Sequence, residues 1–189
     1  RLKPLSDYAK HKVEIEKYIM SLKNKVDFSP TILRFATAFG LSKRMRFDLT
    51  INQFTKELFL KSDQFKVYDQ NTWRPYCHIK DFSRLIEIVI SGDKKKTDFQ
   101  IFNAGSDQNN HTKKDILKKI SEVFPVPNIK LEKEDVDKRN YRVNFSKVKK
   151  ILDFDTQYDI TYGIKEIYDY LNLVKKMKKN IQYENLGNF

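Results

Sequence analysis

Short β-rich runs alternate along this chain with longer segments of helical periodicity, and no other feature limits the fold as strongly. Residues 31–36 have the length and composition of a buried parallel strand, and residues 99–103 form a second predicted strand. Residues 82–91 and 161–178 repeat apolar side chains at the spacing of a helix, about 3.6 residues. We therefore expect an α/β fold that contains at least part of a parallel sheet.

Capping signals set the boundaries of the other predicted elements. Asp48 and Asp81 are each placed to accept a hydrogen bond at the start of a helix. Thr112 and Asp115 form a capping box. These signals and the apolar patterns predict helices at 49–60, 82–91, 113–123 and 146–152, and further strands at 65–68, 73–79, 129–132 and 141–143.

Tyr8 and Lys12 lie four residues apart in a helix that we expect to end near residue 24. They continue an apolar stripe on one helical face, so we expect that face to point inwards. An ammonium group beside a phenol favours the phenolate, which can take a proton from a sugar hydroxyl. A solvated pair on a helix surface produces the same spacing, so the pair alone does not establish a reaction. The stripe consists of Tyr8, Lys12, Ile15, Ile19, Leu22 and Val26.

Composition excludes several classes of protein. The 189 residues can form a core, and the single cysteine, Cys77, excludes an internal disulfide framework and fits a reducing, cytoplasmic location. No apolar run approaches the roughly 18 residues of a membrane span. The three histidines and one cysteine are scattered, so we expect no metal site, and His78 is interpreted as a structural histidine.

The formal charge of +12 raises the question of a nucleic-acid partner. The lysines are spread along the chain, and none of the common nucleic-acid-binding motifs is present, so a solvating surface is the better interpretation. A nucleotide sugar is also an anion and fits the same charge. The alternative that stays open is a non-enzymatic basic module that binds RNA or a phosphorylated partner.

Four motifs follow one another in a fixed order: P-x-S-x-Y-x-x-x-K at residues 4–12, L-R-F-A-T-A-F-G at 33–40, R-P-Y-C-H-I-K-D at 74–81, and D-x-R-x-Y-R-V-N-x-S-K at 137–147. Together they resemble the C-terminal part of an extended short-chain dehydrogenase/reductase. The resemblance is to the NAD-dependent epimerase/dehydratase group that acts on nucleotide sugars, and it covers essentially the whole chain.

The resemblance implies roles for residues near an NAD or NADP cofactor. Tyr8 would be the catalytic acid/base and would lie against the nicotinamide. Lys12 would hydrogen-bond the nicotinamide ribose and favour the phenolate of Tyr8. The backbone of Ala36 would approach the nicotinamide ring.

It also implies contacts with a nucleotide-diphosphate sugar. Thr37 would face the sugar nucleotide, and Arg74 and Arg139 would clamp the diphosphate, for which a forked guanidinium is suited. Asn52 and Asp137 are further candidates for substrate contacts. From the residues alone, Arg74 could instead pair with a surface carboxylate, and Arg139 could belong to a solvated charged face.

The family's glycine-rich turn for NAD is missing, because the five glycines lie at 40, 92, 105, 163 and 187. We therefore expect the C-terminal part of a Rossmann-like doubly wound parallel sheet plus a small α/β substrate-binding region. Residues 1–40 would end the NAD-binding domain, and residues 41–189 would form the substrate-binding region with one returning Rossmann strand and helix.

This division has consequences for activity. We expect the chain alone to bind NAD poorly and to be inactive, with the other half lying upstream or supplied by another chain. A homodimer is one expected assembly, and no membrane association is expected.

Overall fold

The computed structural model describes residues 4–62, 65–133 and 140–176. Its helices are α1 (Asp7–Ser21), α2 (Thr50–Leu60), α3 (Ile79–Ser91), α4 (Lys94–Thr97), α5 (Lys113–Val123), α6 (Ser146–Leu152) and α7 (Ile160–Lys176). Its strands are β1 (Thr31–Phe35), β2 (Thr37–Phe39), β3 (Lys66–Tyr68), β4 (Trp73–His78), β5 (Gln100–Ala104), β6 (Asn110–Thr112) and β7 (Lys130–Glu132), and Asp107–Asn109 form a 3-10 turn.

The strand pairing is mostly parallel, which confirms the predicted α/β class. β1 pairs with β5 in parallel, with Thr31 opposite Gln100. β4 lies between β2, which is parallel to it, and β6, which is antiparallel. β3 and β7 form a third parallel pair. The seven strands thus form three small sheets, and β6 is the one strand of residues 4–62, 65–133 and 140–176 that pairs antiparallel.

Buried side chains form two hydrophobic clusters, and the first includes Phe39 of β2 and Tyr76 of β4. The first joins α2, α5 and α7 through residues such as Ile51, Ile116 and Ile164. The second surrounds β5 and includes Leu85 of α3 and Phe102. The division into an NAD-binding part at residues 1–40 and a substrate-binding part at residues 41–189 stays a prediction.

The predicted cap at Asp48 is wrong. Leu49 occupies the N-cap position of α2 without a side-chain hydrogen bond, and Asp48 instead accepts from Arg46 Nε at 2.7 Å. The local ion pair replaces the cap because Arg46 lies only two residues away. The inward side of α2 is confirmed, since Ile51 and Leu58 are both buried.

The predicted cap at Asp81 is also wrong, because Asp81 is not the N-cap residue of α3. It lies in the first turn of α3, fully buried, and its carboxylate accepts from the backbone N–H groups of Gln157 and Tyr158, each at 3.1 Å. The cap of α3 is His78, whose ring nitrogen accepts from Lys80 N–H at 3.1 Å. Asp81 therefore fastens the segment before α7 to α3.

Other boundaries follow the sequence with small differences. The capping box of Thr112 and Asp115 is present. Residues 141–143 form no strand, and α4, β6 and the 3-10 turn were not predicted. No helix in residues 4–62, 65–133 or 140–176 has the length and apolar character needed to cross a membrane.

Candidate active site

The predicted catalytic pair lies in the first two turns of α1. Ser6 caps this helix, and its side chain accepts from Ala9 N–H at 3.2 Å. The Nζ atom of Lys12 lies 5.6 Å from the centre of the Tyr8 ring. The two side chains therefore lie on the same side of α1, as their spacing predicts.

The expectation that this face points inwards is wrong for the described chain. Tyr8 is 73% exposed, Ile15 is 51% exposed, and α1 has no buried residue. The helix is fastened to β1 next to this face, one turn after Lys12, because Arg34 Nε donates to Glu16 Oε1 at 2.8 Å and Arg34 Nη2 donates to Glu16 Oε2. Tyr8, Lys12 and Ile15 at the N-terminal end of the stripe are exposed, whereas Ile19, Leu22 and Val26 are half-buried.

Ala36 and Thr37 lie where β1 passes into β2. The N–H of Ala36 donates to the carbonyl of Ala104 at 3.0 Å, which extends the pairing of β1 with β5. Thr37 is opposite Tyr76 of β4. The carboxyl end of a parallel strand is the usual edge for ligands in α/β sheets, so these two residues occupy a suitable position for a cofactor and its substrate.

Arg74 lies on β4, two residues before Tyr76 and on the same face of the strand. Its guanidinium lies 5.3 Å from the centre of the Tyr141 ring, and Nη1 donates to the carbonyl of Trp73 at 2.9 Å. Next to it, Arg142 stacks on the Trp73 ring at 3.6 Å. Arg74 thus lies two positions along β4 from Tyr76, the residue opposite Thr37, and Arg142 is a second guanidinium in this region that the sequence analysis did not select.

Tyr76 is fully buried, and its hydroxyl has no hydrogen bond of normal geometry within the described chain. Burial raises the pKa of Tyr76 to about 12, although the nearby Thr50 side chain and the charge of Arg74 act in the opposite direction. Burial therefore opposes ionisation of this phenol.

The buried side chain of Asn52 in α2 forms hydrogen bonds with the backbone of two other segments. It is 2% exposed, its Oδ1 accepts from Gly40 N–H at 3.1 Å, and its Nδ2 donates to the carbonyl of Arg46 at 3.0 Å. The amide is thus used to hold the chain after β2. Its predicted contact with substrate stays a prediction, as do the roles of the other selected residues.

Asp137 and Arg139 lie outside the described residues. In the part of the chain that is described, no group of three or more histidine, cysteine or carboxylate side chains could hold a metal ion. The basic side chains are widely distributed and many are paired, for example Lys66 with Glu132 and Lys149 with Asp155. This distribution does not favour a nucleic-acid surface.

The sequence analysis missed Glu166. This residue of α7 contacts Leu41, His78 and Lys80 from a distance of more than eighty positions along the chain. A local pattern cannot predict such a contact, because the sequence of α7 indicates only an amphipathic helix. The sequence offered only one signal, a carboxylate close to the apolar stripe of α7. In the structure the side chain of Glu166 is 16% exposed.

The matching family model and the similar solved structures are all described as epimerases or dehydratases. A family model described as the NAD dependent epimerase/dehydratase family matches residues 1–105. The UDP-glucuronic acid 4-epimerase of Bacillus cereus, solved with UDP-glucuronic acid and NAD, is 20% identical with a TM-score of 0.79. The match covers 92% of this chain and 55% of that chain.

Two further solved structures are similar over the same region. The dTDP-glucose 4,6-dehydratase of Bacillus anthracis str. Ames, in complex with NAD, has 18% identity and a TM-score of 0.77, covering 93% of this chain and 55% of that chain. The UDP-glucose 4-epimerase of Thermotoga maritima, with UDP-glucose, has 19% identity and a TM-score of 0.76, covering 92% and 55%. The chain thus spans about half the length of these Rossmann-like proteins, and at this identity the likeness establishes the fold.

Proposed function

Because this chain belongs to the NAD-dependent epimerase/dehydratase family, we propose that it is the C-terminal, substrate-binding part of an enzyme that epimerises or dehydrates a nucleotide-diphosphate sugar. The observation that carries this proposal is the Tyr8–Lys12 pair, with the ammonium nitrogen 5.6 Å from the phenol ring on an open face of α1. The pair precedes β1, whose end holds Ala36 and Thr37 at the sheet edge where ligands of α/β folds bind.

The residues present fit the nicotinamide end of NAD or NADP. Lys12 supplies a donor for a ribose hydroxyl, and the backbone of Ala36 leaves room for a flat ring because its side chain is small. The turn that would hold the phosphates of the cofactor is absent from this sequence. When bound, the cofactor would accept a hydride from a sugar carbon and return it.

Tyr8 would take the proton of the sugar hydroxyl as the carbon is oxidised to a ketone. It would return a proton when the ketone is reduced, so one phenol serves both directions. Lys12 would stabilise the phenolate between these steps. Epimerisation, elimination or reduction of the keto-sugar would follow. With either of the first two steps, the enzyme would be an isomerase or a lyase of carbohydrate metabolism.

Arg74 would bind the diphosphate of the substrate through its forked guanidinium. Its side chain already lies against Tyr141, so part of its conformational freedom is lost before the ligand arrives. Arg139 and Asp137 would complete this end of the site, and Thr37 would contact the sugar. The proposed ligand would therefore be bound at the diphosphate by β4 and at the sugar by the first residue of β2.

The open face of α1 supports the proposal that a second, glycine-rich half completes the active site. We call the present chain together with such a half, joined or added, the complete enzyme. The same face could also pack against a second copy in a homodimer. Cys77 is buried and unpaired, which supports a reducing compartment such as the cytoplasm.

Calorimetric titration of this chain with UDP-glucose, UDP-glucuronic acid and dTDP-glucose tests the proposal. We expect at least one of them to bind and NAD alone to bind weakly. A single-stranded RNA is titrated in parallel, at the same ionic strength. Binding of the RNA with no response to any nucleotide sugar would contradict the proposal and favour a basic binding module.

A further inference from the structure

A single carboxylate of α7 joins three separate elements. Glu166 Oε2 accepts from Leu41 N–H at 2.7 Å and lies 3.1 Å from His78 Nε2. Its other oxygen, Oε1, accepts from Lys80 Nζ at 2.6 Å. Glu166 therefore binds the chain that leaves β2, the last residue of β4 and the first turn of α3.

The hydrogen bonds of His78 define which ring nitrogen carries the proton. Its Nδ1 accepts from Lys80 N–H, so the neutral ring has its hydrogen on Nε2 and donates it to Glu166. Burial lowers the pKa of His78, with the charge of Glu166 acting against it. Burial would raise the pKa of Glu166, but the bonds from Lys80 and from the Leu41 amide lower it, so the carboxylate is ionised.

The chain at this point has no room to move towards the histidine. Gly40 has a φ of 110°, and a Cβ at this residue would lie 2.3 Å from His78 Nε2. The N–H of Gly40 is held by Asn52 of α2, and that of Leu41 by Glu166 of α7. Two consecutive amides after β2 are thus bound by side chains from two different helices.

We propose that Glu166 is a positioning residue for Thr37. By holding Leu41 and His78, it fixes the C-terminal end of β2 against β4, where Phe39 is opposite His78 and Thr37 is opposite Tyr76. Loss of the carboxylate frees the end of this three-residue strand and displaces the Thr37 side chain. That Thr37 contacts a nucleotide sugar rests on the proposed function, whereas the hold on β2 does not.

The test compares Glu166→Gln with Asp169→Asn, an equal carboxylate-to-amide change on an exposed position of the same helix. Amide hydrogen exchange is measured at Leu41 and Phe39, with Ile120 of the buried core as the reference for global unfolding. We expect Glu166→Gln to accelerate exchange at Leu41 and Phe39 about tenfold, since a neutral amide oxygen replaces the charged acceptor and holds Leu41 N–H less strongly. We expect Asp169→Asn to leave both amides unchanged.

A merely structural role gives a different result, because global destabilisation accelerates Ile120 to the same extent as Leu41. Equal acceleration, or none at Leu41, would overturn the inference. Lys80→Met separates the ion pair from the hold on β2. It removes the bonds from Lys80 Nζ to Glu166 Oε1 and to the Tyr162 hydroxyl but keeps the acceptor for Leu41 N–H, so Leu41 should keep its protection. If Glu166→Gln does not fold, Glu166→Asp is judged by the same comparison, since its shorter side chain cannot reach all three donors.

The nucleotide-sugar titration is repeated on the same variants. Where the unchanged chain binds a nucleotide sugar, Glu166→Gln should weaken that affinity about tenfold and Asp169→Asn should not, and equal affinity in both would overturn the link to Thr37. Where the unchanged chain binds none, the proposed function fails, and the exchange data alone decide whether Glu166 positions β2.

Discussion

The ammonium nitrogen of Lys12 lies 5.6 Å from the centre of the Tyr8 ring, with both side chains open to solvent. The two side chains therefore lie close together on α1 without the surroundings that would exclude water. Exclusion of water strengthens electrostatic effects in an active site. Tyr8 and Lys12 should therefore act only when another part of the complete enzyme covers α1.

Replacement of Lys12 by Met should weaken NAD binding by the complete enzyme about tenfold or more, because a donor to the ribose is lost. Fluorescence titration with NAD measures the affinity. Lys10→Met is the matched control, since Lys10 lies on the same helix and pairs with Asp7 at 2.9 Å. Equal affinities of the two variants would remove Lys12 from the cofactor site.

Replacement of Arg74 by Met should weaken binding of the nucleotide sugar to this chain about tenfold to a hundredfold, because a charge-assisted contact to phosphate is lost. Calorimetry in low and moderate salt measures the affinity, and the salt dependence should decrease in the variant. Arg142→Met makes the same change of charge beside Trp73 and should have a much smaller effect. A larger loss in Arg142→Met would move the diphosphate site away from Arg74.

Gly163→Ala should destabilise the fold by about 1–3 kcal/mol, as expected when a well-packed core receives an extra carbon. A Cβ at Gly163 would lie 2.5 Å from the ring of Phe39 and 3.3 Å from His78. Urea unfolding measures the free energy. Lys165→Ala, at an exposed position of α7, should change it little, and a tolerated Gly163→Ala would show that Phe39 can move aside.

Stability should decrease as the pH falls below about 6.5. Burial lowers the pKa of His78 beneath its ordinary 6.5, so the unfolded chain binds this proton more readily than the folded one. The contribution of neutral His78 to the free energy of unfolding is complete above pH 6.5, and it is lost as the pH falls towards the lower pKa of the folded state. The lowered pKa of Glu166 acts in the same direction, because its stabilising contribution is lost as the pH falls below the ordinary pKa of 4.5.

Urea unfolding between about pH 7.5 and pH 5.5 measures this effect. Burial and the charge of Lys119 also lower the pKa of His111, so the experiment uses the His111→Gln background. Glu166 faces His78 from α7, and Lys80 and Asp81 face it from α3. Unchanged stability across this range would contradict the assignment of His78 as a buried neutral donor.

Local patterns predicted most of the secondary structure. The strand at Thr31–Phe35, the capping box at Thr112 and the helix at Ser146–Leu152 depend on short-range signals, and the structure confirms all three. The caps at Asp48 and Asp81 failed for a common reason. Each aspartate had a stronger partner, which was a neighbouring arginine for Asp48 and two distant backbone amides for Asp81.

The candidate site was predicted only in part. The order of motifs selected Tyr8, Lys12 and Arg74, and the spacing of the first two correctly placed them on one side of α1. Exposure of that side could not be predicted, since an apolar stripe has the same sequence whether its partner belongs to this chain or to another. Glu166 was missed because its contacts join α7 to residues far away in the sequence.

The most direct test of the account is the turnover of the complete enzyme with Tyr8→Phe. Loss of the proton acceptor should lower the rate of sugar oxidation by about 10²–10⁴-fold while the folded structure is kept. Tyr18→Phe, an equal change at another exposed tyrosine of α1, should retain the rate. The rate is measured in a single turnover from reduction of the bound cofactor by the nucleotide sugar. Near-normal turnover of Tyr8→Phe would contradict the central claim that this phenol carries the proton.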